Sequence, residues 1–246
     1  MAKTCWIVGA SAGIGAGLAK ELSQKGYNLI LSARSEDNLK KLADEIGGGS
    51  MVLPLDVCDL KNFTKAKEKA IKKFGKIDLA IFAPAIYKPM SVFDEEIEFA
   101  QKTMEINLGG CLNFLHLIAP LMKKQNSGQI GLIASIAGYC GLPNSHIYGA
   151  TKAAMINLAE SIKCELEKSN IKLSLINPGF VDTRLTKQNN FKMPFIIDQE
   201  KAAKIIVKDL EKEKFEIHFP YRLTLILKFL RLLPYSIYFW IIGKIK

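Results

Sequence analysis

Tyr148 and Lys152 stand four residues apart in the run Tyr148-Gly-Ala-Thr-Lys152. On a helix that is about one turn, so the phenol and the ammonium share a face. A tyrosine with an ordinary pKa of about 10 exchanges protons poorly near neutrality. A lysine cation beside it favours the phenolate and is expected to lower that pKa. The pair is equipped for acid–base work on an oxygen, although by itself such a spacing is usually a surface pair. Thirteen residues before the tyrosine, Ser135 offers a hydroxyl that can hold such an oxygen; the alternative is a loop serine bonded to its own backbone. A second kind of chemistry is written near the N-terminus. Gly9-Ala-Ser-Ala-Gly13-Ile-Gly15 stands where an apolar run gives way to a helical pattern. A pyrophosphate needs backbone N–H groups at a helix start with no side chain in the way, and glycines permit that approach. The spacing is G-x3-G-x-G, not G-x-G-x-x-G, and a tight turn between packed elements is the plainer reading.

The elements that must position these groups alternate from the start. Thr4–Gly9 reads as a buried strand, Gly13–Lys25 as a helix, and 27–33 as a second strand. Ser35 and Asp59 have the character of N-caps for helices reaching about Ile46 and Phe74, with Met51–Leu55 a strand between them. Residues 77–82 read as a fourth strand, followed by helices over roughly 93–107 and 109–124. The pattern closes with strands at 129–134, 172–176 and 215–219 and helices at 146–168 and 199–212. Several strands are continuous apolar runs, as in a parallel sheet covered on both faces. The expected fold is a Rossmann-type, doubly wound α/β sheet of about seven strands. Residues 1–220 would form one dinucleotide-binding catalytic domain and 221–246 an amphipathic appendage.

At the end of the second strand, where a nucleotide fold reads the ribose, an acid would favour a free 2′-hydroxyl. This chain has Ser32-Ala33-Arg34. Arg34 can meet a 2′-phosphate with its planar fork, which favours NADP(H) over NAD(H), the other possibility. Five cysteines are scattered without metal-ligand spacing, so no metal site and no disulfide framework are expected. The first residues lack a signal-peptide layout, and a cytoplasmic protein is expected. His116 reads as packed within an apolar helix; His146 borders the substrate or faces solvent in a loop.

With these residues in view, the sequence resembles the short-chain dehydrogenase/reductase family over about residues 4–219. The pieces arrive in that family's order: GASAGIG, Asp56-Val57, Asn107, Ser135, Tyr148 with Lys152, and Asn177-Pro178-Gly179 with Thr183. The resemblance implies that Gly9, Ser11, Gly13, Ile14 and Gly15 line the dinucleotide phosphates and adjacent ribose. Asp56 and Val57 would flank the adenine, and Pro178, Gly179, Val181 and Thr183 the nicotinamide. Ser135 would orient a carbonyl or hydroxyl, Tyr148 would be the general acid or base, and Lys152 would also bind the nicotinamide ribose. Asn107 would sit at a helix irregularity and hold a water linking Lys152 to solvent; as a bare residue it could equally cap the helix after it. Asn177-Pro178-Gly179 could be simple turn chemistry. The family's Asn-Asn-Ala-Gly is replaced here by Phe82-Ala83-Pro84-Ala85, with Ala83 bordering the ribose. The implied activity is hydride transfer between a nicotinamide and a small carbonyl or alcohol, in a chain that self-associates. A non-catalytic dinucleotide sensor and a membrane-associated scaffold are the rival readings.

The net charge is +10, and the last 26 residues hold Arg222, Lys228, Arg231, Lys244 and Lys246 with no acid. No reading motif accompanies the basic surface, so nucleic acid is not an expected partner. On a helix Thr224, Lys228 and Arg231 form one polar stripe among leucines and aromatics. Two cations and Pro234 interrupt the run, so it is expected to lie on a membrane surface instead of crossing it, or else to pack on the body or a second subunit. Residues 186–197 are expected to form part of a lid, where Phe191, Met193, Pro194, Phe195 and Ile196 suit an apolar substrate.

Overall fold

The apolar run Thr4–Val8 forms strand β1, buried along its whole length. A computed structural model describes residues 2–47, 49–94 and 96–244 of the chain. After β1 come helix α1 (Gly13–Gln24), β2 (Asn28–Ser32), α2 (Glu36–Ile46), β3 (Met51–Val52), α3 (Leu60–Phe74) and β4 (Leu79–Phe82). The second half holds α4 (Ile97–Met104), α5 (Gly110–Gln125), β5 (Gly128–Ile133), α6 (His146–Glu167), β6 (Ile171–Pro178), α7 (Gln199–Leu210) and β7 (Glu216–Phe219). Two helices end the chain, α8 (Tyr221–Leu232) and α9 (Tyr235–Ile242). Ile245 and Lys246, the last residues of the expected tail, lie outside the described residues.

The strands form one seven-stranded sheet in the order β3-β2-β1-β4-β5-β6-β7, every neighbouring pair parallel. The order reverses between β1 and β4, and in such sheets a crevice opens there at the carboxyl ends of the strands. Side chains alternate across the sheet and feed two apolar layers. Trp6, Phe63, Phe82 and Phe114 lie on the side of α3, α5 and α6, and Ile7, Leu18, Leu31 and Ile206 on the side of α1, α2 and α7. The one polar atom of Trp6 is satisfied inside this core, since its Nε1 donates to Ser32 Oγ at 2.9 Å.

Local chemistry sets the ends of elements. Ser35 Oγ and Asp59 Oδ1 accept from Asn38 N at 3.4 Å and Asn62 N at 3.0 Å, closing the first turns of α2 and α3. Strand β3 is shorter than expected, ending at Val52; Pro54 follows on this edge strand where its nitrogen faces away from β2. The chain still bonds to its neighbour around that proline, Leu53 N to Leu31 O at 2.9 Å and Leu55 N to Ala33 O at 3.0 Å. Helix α4 starts four residues later than expected, because Ser91 draws Phe93 N and Asp94 N into a turn. His116 is exposed, not packed. It shares the outer face of α5 with exposed Leu112, one turn before it.

Candidate active site

The turn from β1 to α1 is built for close approach. Gly9 has φ +89°, and a Cβ there would lie 2.8 Å from Pro84 N; a Cβ on Gly15 would lie 2.1 Å from Gly9 O. Any side chain at either position would fill the cradle. Ala12 precedes α1 without a side-chain hydrogen bond to its first turn, so those N–H groups face outward uncapped by side chains. Such a helix start accepts a phosphate. The residues present therefore fit a dinucleotide's phosphates.

From this turn a cavity of about 1120 Å³ runs along the carboxyl edge of the sheet. It brings together Gly9, Ser11, Gly13, Ile14, Gly15, Arg34, Asp56, Val57, Ala83, Ser135, Tyr148, Lys152, Pro178, Gly179, Val181 and Thr183. Of the expected catalytic and cofactor-binding residues, all but Asn107 lie on that wall. Arg34 is exposed at the end of β2, beside Ser35 and Asn38, and forms no ion pair with any described residue. Phe191 and Pro194 reach the wall from the expected lid, whereas Phe195 and Ile196 point to solvent. His146 begins α6, half-buried, and is not on this wall.

Tyr148 and Lys152 occupy successive turns of α6. Lys152 is 1% exposed, and its Nζ donates to Ile133 O at 2.9 Å and lies 5.5 Å from the centre of the Tyr148 ring. Burial lowers the Lys152 ammonium to about 8. The same physics moves Tyr148 the other way. Burial pushes its phenol up to about 12, with the nearby Ser135 hydroxyl pulling it partly back and Tyr87 raising it further. The expectation that Lys152 lowers Tyr148 is thus corrected: burial raises the phenol, and the ammonium is turned toward a backbone carbonyl. Tyr148 holds its proton at neutral pH.

Ser135 is set beside Tyr148 by a short 3₁₀ turn, Ile136–Gly138. Its Oγ accepts from Ala137 N at 3.1 Å, which leaves the hydroxyl proton free to donate. The turn packs hard against α6, since a Cβ on Gly138 would lie 2.6 Å from the Lys152 carbonyl carbon. Asn107 lies behind the site, 0% exposed, in a π-helical turn (Glu105–Gly109) between α4 and α5. It does not cap α5. Its Oδ1 accepts from Ile86 N at 2.8 Å, and its Nδ2 donates to Ile86 O at 3.0 Å and Thr151 Oγ1 at 3.2 Å. Thr151 donates in turn to Tyr148 O at 2.7 Å. Asn107 therefore ties the Ala83–Tyr87 segment to the helix that carries Tyr148.

One residue escaped the sequence reading. Tyr87 packs its ring 4.9 Å from that of Tyr148, and its hydroxyl donates to Asn189 Oδ1 at 2.8 Å. It joins the acid–base helix to the lid segment. No local spacing signals that contact, because its partners lie far away in the chain.

The family model for short chain dehydrogenases matches residues 3–194. The chain belongs to the short-chain dehydrogenase/reductase family. An uncharacterized oxidoreductase of Staphylococcus epidermidis is 32% identical over 189 residues, which cover 77% of this chain and 82% of that one. Among solved structures, an alcohol dehydrogenase of the archaeon Thermococcus sibiricus, complexed with 5-hydroxy-NADP, is 25% identical with a TM-score of 0.80, covering 89% of this chain and 96% of its own. A short chain dehydrogenase of Burkholderia cenocepacia in complex with NADP has the same fold at 22% identity and a TM-score of 0.85, covering 98% of this chain and 97% of its own. As a member of the family the chain is a nicotinamide-dependent oxidoreductase acting on a small molecule.

The end of the chain shows a reversal. Of the polar stripe expected on α8, Thr224 and Lys228 turn toward the body, whereas Arg231 stays exposed. Thr224 is fully buried and its hydroxyl sits 2.7 Å from His218 Nδ1, while Lys228 pairs with Glu216 and lies 5.3 Å over the Tyr139 ring. Leu227, Leu230, Tyr238 and Ile242 pack on Ile136 and Cys140, and the Tyr238 hydroxyl donates to Gly141 O. Leu223 and Leu227 extend the cavity wall. The apolar residues Leu225, Ile226, Phe229 and Leu232 face outward instead.

Proposed function

We propose that this chain is an NADP(H)-dependent carbonyl reductase, reversibly an alcohol dehydrogenase, in which Tyr148 moves the proton. The carrying observation is a protonated, half-buried tyrosine held between Ser135 and Lys152 at the end of a cavity that begins in a phosphate cradle. When bound, the nicotinamide supplies a hydride to the carbonyl carbon and is left oxidised. Ser135 holds the carbonyl oxygen with its free hydroxyl proton. Tyr148 gives that oxygen its proton as negative charge develops there, and the product is an alcohol. The tyrosinate left behind is stabilised by the Lys152 ammonium and recovers a proton from solvent. With its pKa pushed up to about 12 the phenol is protonated at neutral pH, the state that a proton donor to a carbonyl requires. Lys152 also holds the nicotinamide ribose, and Asn107 is a positioning residue for Tyr148 with a water relay to Lys152 on its backbone side.

Arg34 reads the 2′-phosphate, supported by its place on the wall and by its having no ion pair with any described residue. Asp56 and Val57 flank the adenine, Ala83 the ribose, and Pro178, Gly179, Val181 and Thr183 the nicotinamide. Residues 1–220 are the catalytic domain and 221–246 an appendage that rests on it and touches a membrane surface from the cytoplasm. Self-association through α4, α5 and α6 is supported by the exposed Met104 and Leu112. The test is titration of NADPH and NADH into the native chain and Arg34→Ala, followed by a carbonyl panel. Loss of one charge-assisted contact is expected to weaken NADPH by ~10–100-fold and leave NADH unchanged. Equal weakening of both removes Arg34 from the reading; cofactor binding without turnover on any carbonyl returns the chain to a sensor.

A further inference from the structure

Resting on that reading of the active site, we infer that the outward face of α8 and α9 docks on an anionic bilayer, and that the substrate is an apolar carbonyl or alcohol dissolved in the lipid. A soluble helix turns its apolar side to the core and its polar side to water. Helix α8 departs from this: besides the inward Leu227 and Leu230 it commits Thr224 and Lys228 to β7, and it leaves Leu225, Ile226, Phe229 and Leu232 facing outward. Phe229 is 62% and Leu232 81% exposed, and α9 adds Tyr235, Phe239 and Trp240, the last 64% exposed. Large apolar side chains left exposed on both helices mark a docking surface. Charge selects the occupant. Arg222, Arg231 and Lys244 are exposed around the apolar residues, Lys244 lies 3.6 Å over the Trp240 ring, and no acid occurs after Glu216. Cations and amphipathic aromatics around a leucine face match anionic headgroups over acyl chains. A second copy would bring the same cations against themselves. Among the described residues no helix is long and apolar enough to cross a membrane, so the fit is to the surface.

The same helix walls the cavity. Leu223 and Leu227 face the space that holds Tyr148 and Ser135, one helix diameter from the outward Leu225 and Phe229. Leu142, Phe180 and Phe191 complete an apolar end to that space. A molecule leaving the bilayer at the edge of α8 would reach Tyr148 without crossing water, its alkyl part along α8 and its carbonyl toward Ser135.

The chain has two tryptophans, and Trp6 is fully buried, so Trp240 reports the face alone. The full chain is mixed with phosphatidylcholine vesicles with and without phosphatidylglycerol, carrying brominated acyl chains. Quenching of Trp240 emission is expected with phosphatidylglycerol, absent in Trp240→Phe, and weakened at least ~10-fold in affinity in the outward double variant Leu225→Ser, Phe229→Ser. NADPH oxidation is then followed with a series of n-alkanals from butanal to dodecanal in the same vesicles. Each added methylene is expected to raise kcat/KM about fourfold in the native chain. The double variant is expected to lose this gain for the long aldehydes while keeping native turnover of butanal. Absence of quenching with phosphatidylglycerol vesicles overturns the docking and leaves the oxidoreductase standing. Quenching with flat chain-length dependence, or with no alkanal turned over, overturns the lipid-borne substrate.

Discussion

Replacing Lys152 with methionine is expected to stabilise the protein while abolishing its turnover. The ammonium is 1% exposed and its pKa is lowered from 10.5 to about 8. At about 1.4 kcal/mol per tenfold change in proton affinity, keeping it charged in the fold at pH 7 costs ~3 kcal/mol. Methionine has a similar reach and suits the apolar neighbourhood of Met155, but leaves Ile133 O without its 2.9 Å donor. That loss costs ~1 kcal/mol, so a net gain of ~2 kcal/mol is expected at pH 7. For a chain of this size it corresponds to a Tm rise of ~4–8 °C. The sign of the pH dependence follows from the lowered pKa. Between about 8 and 10.5 the unfolded chain holds a proton that the folded chain has released, so native stability rises with pH across that window. The cost of Lys152 is fully present below about 8 and gone above 10.5. The advantage of Lys152→Met over the native chain should therefore shrink from pH 7 to about 10, as read by urea unfolding at several pH values. A variant less stable than the native chain at pH 7, or a gap that ignores pH, would refute the assignment of a costly buried cation. A residue that destabilises its fold and is needed for turnover is a functional residue.

Gly15→Ala would place a methyl 2.1 Å from Gly9 O, so a loss of ~1–3 kcal/mol in urea unfolding and failure of NADPH titration are expected; a stable variant with native affinity would contradict the cradle. Tyr87→Ala removes the ring 4.9 Å from Tyr148 and the bond to Asn189, and is expected to raise KM for carbonyls by ~10-fold with a smaller change in kcat, because the lid segment loses its tie. An unchanged KM would show that Tyr87 only packs.

Much of this architecture is legible in the chain itself. Continuous apolar strands announce a sheet covered on both sides, and Ser35 and Asp59 cap the helices they precede. Tyr148 and Lys152 share a face because helical period alone places them there. What is not legible depends on partners distant in sequence. The inward stripe of α8 answers to Glu216 and His218 on β7, and no reading of α8 alone can supply them. Asn107 meets Ile86 and Thr151 across 21 and 44 residues, and Tyr87 meets Asn189 across 102. The direction of the Tyr148 shift also escaped, because burial is a property of the folded surroundings whereas the neighbouring lysine is visible in the sequence. Where Ser91 delays α4, a single local group overrides a good pattern.

The central claim is that Tyr148 carries the proton. Its most direct test is Tyr148→Phe, assayed for NADPH binding by cofactor fluorescence and for turnover by NADPH consumption on the first carbonyl the native chain reduces. The ring remains against Tyr87 and only the hydroxyl goes. The expected result is native cofactor affinity with kcat reduced by about 10²–10⁴-fold. A variant that binds NADPH and keeps a near-native kcat would contradict the account, because the proton would then have another source.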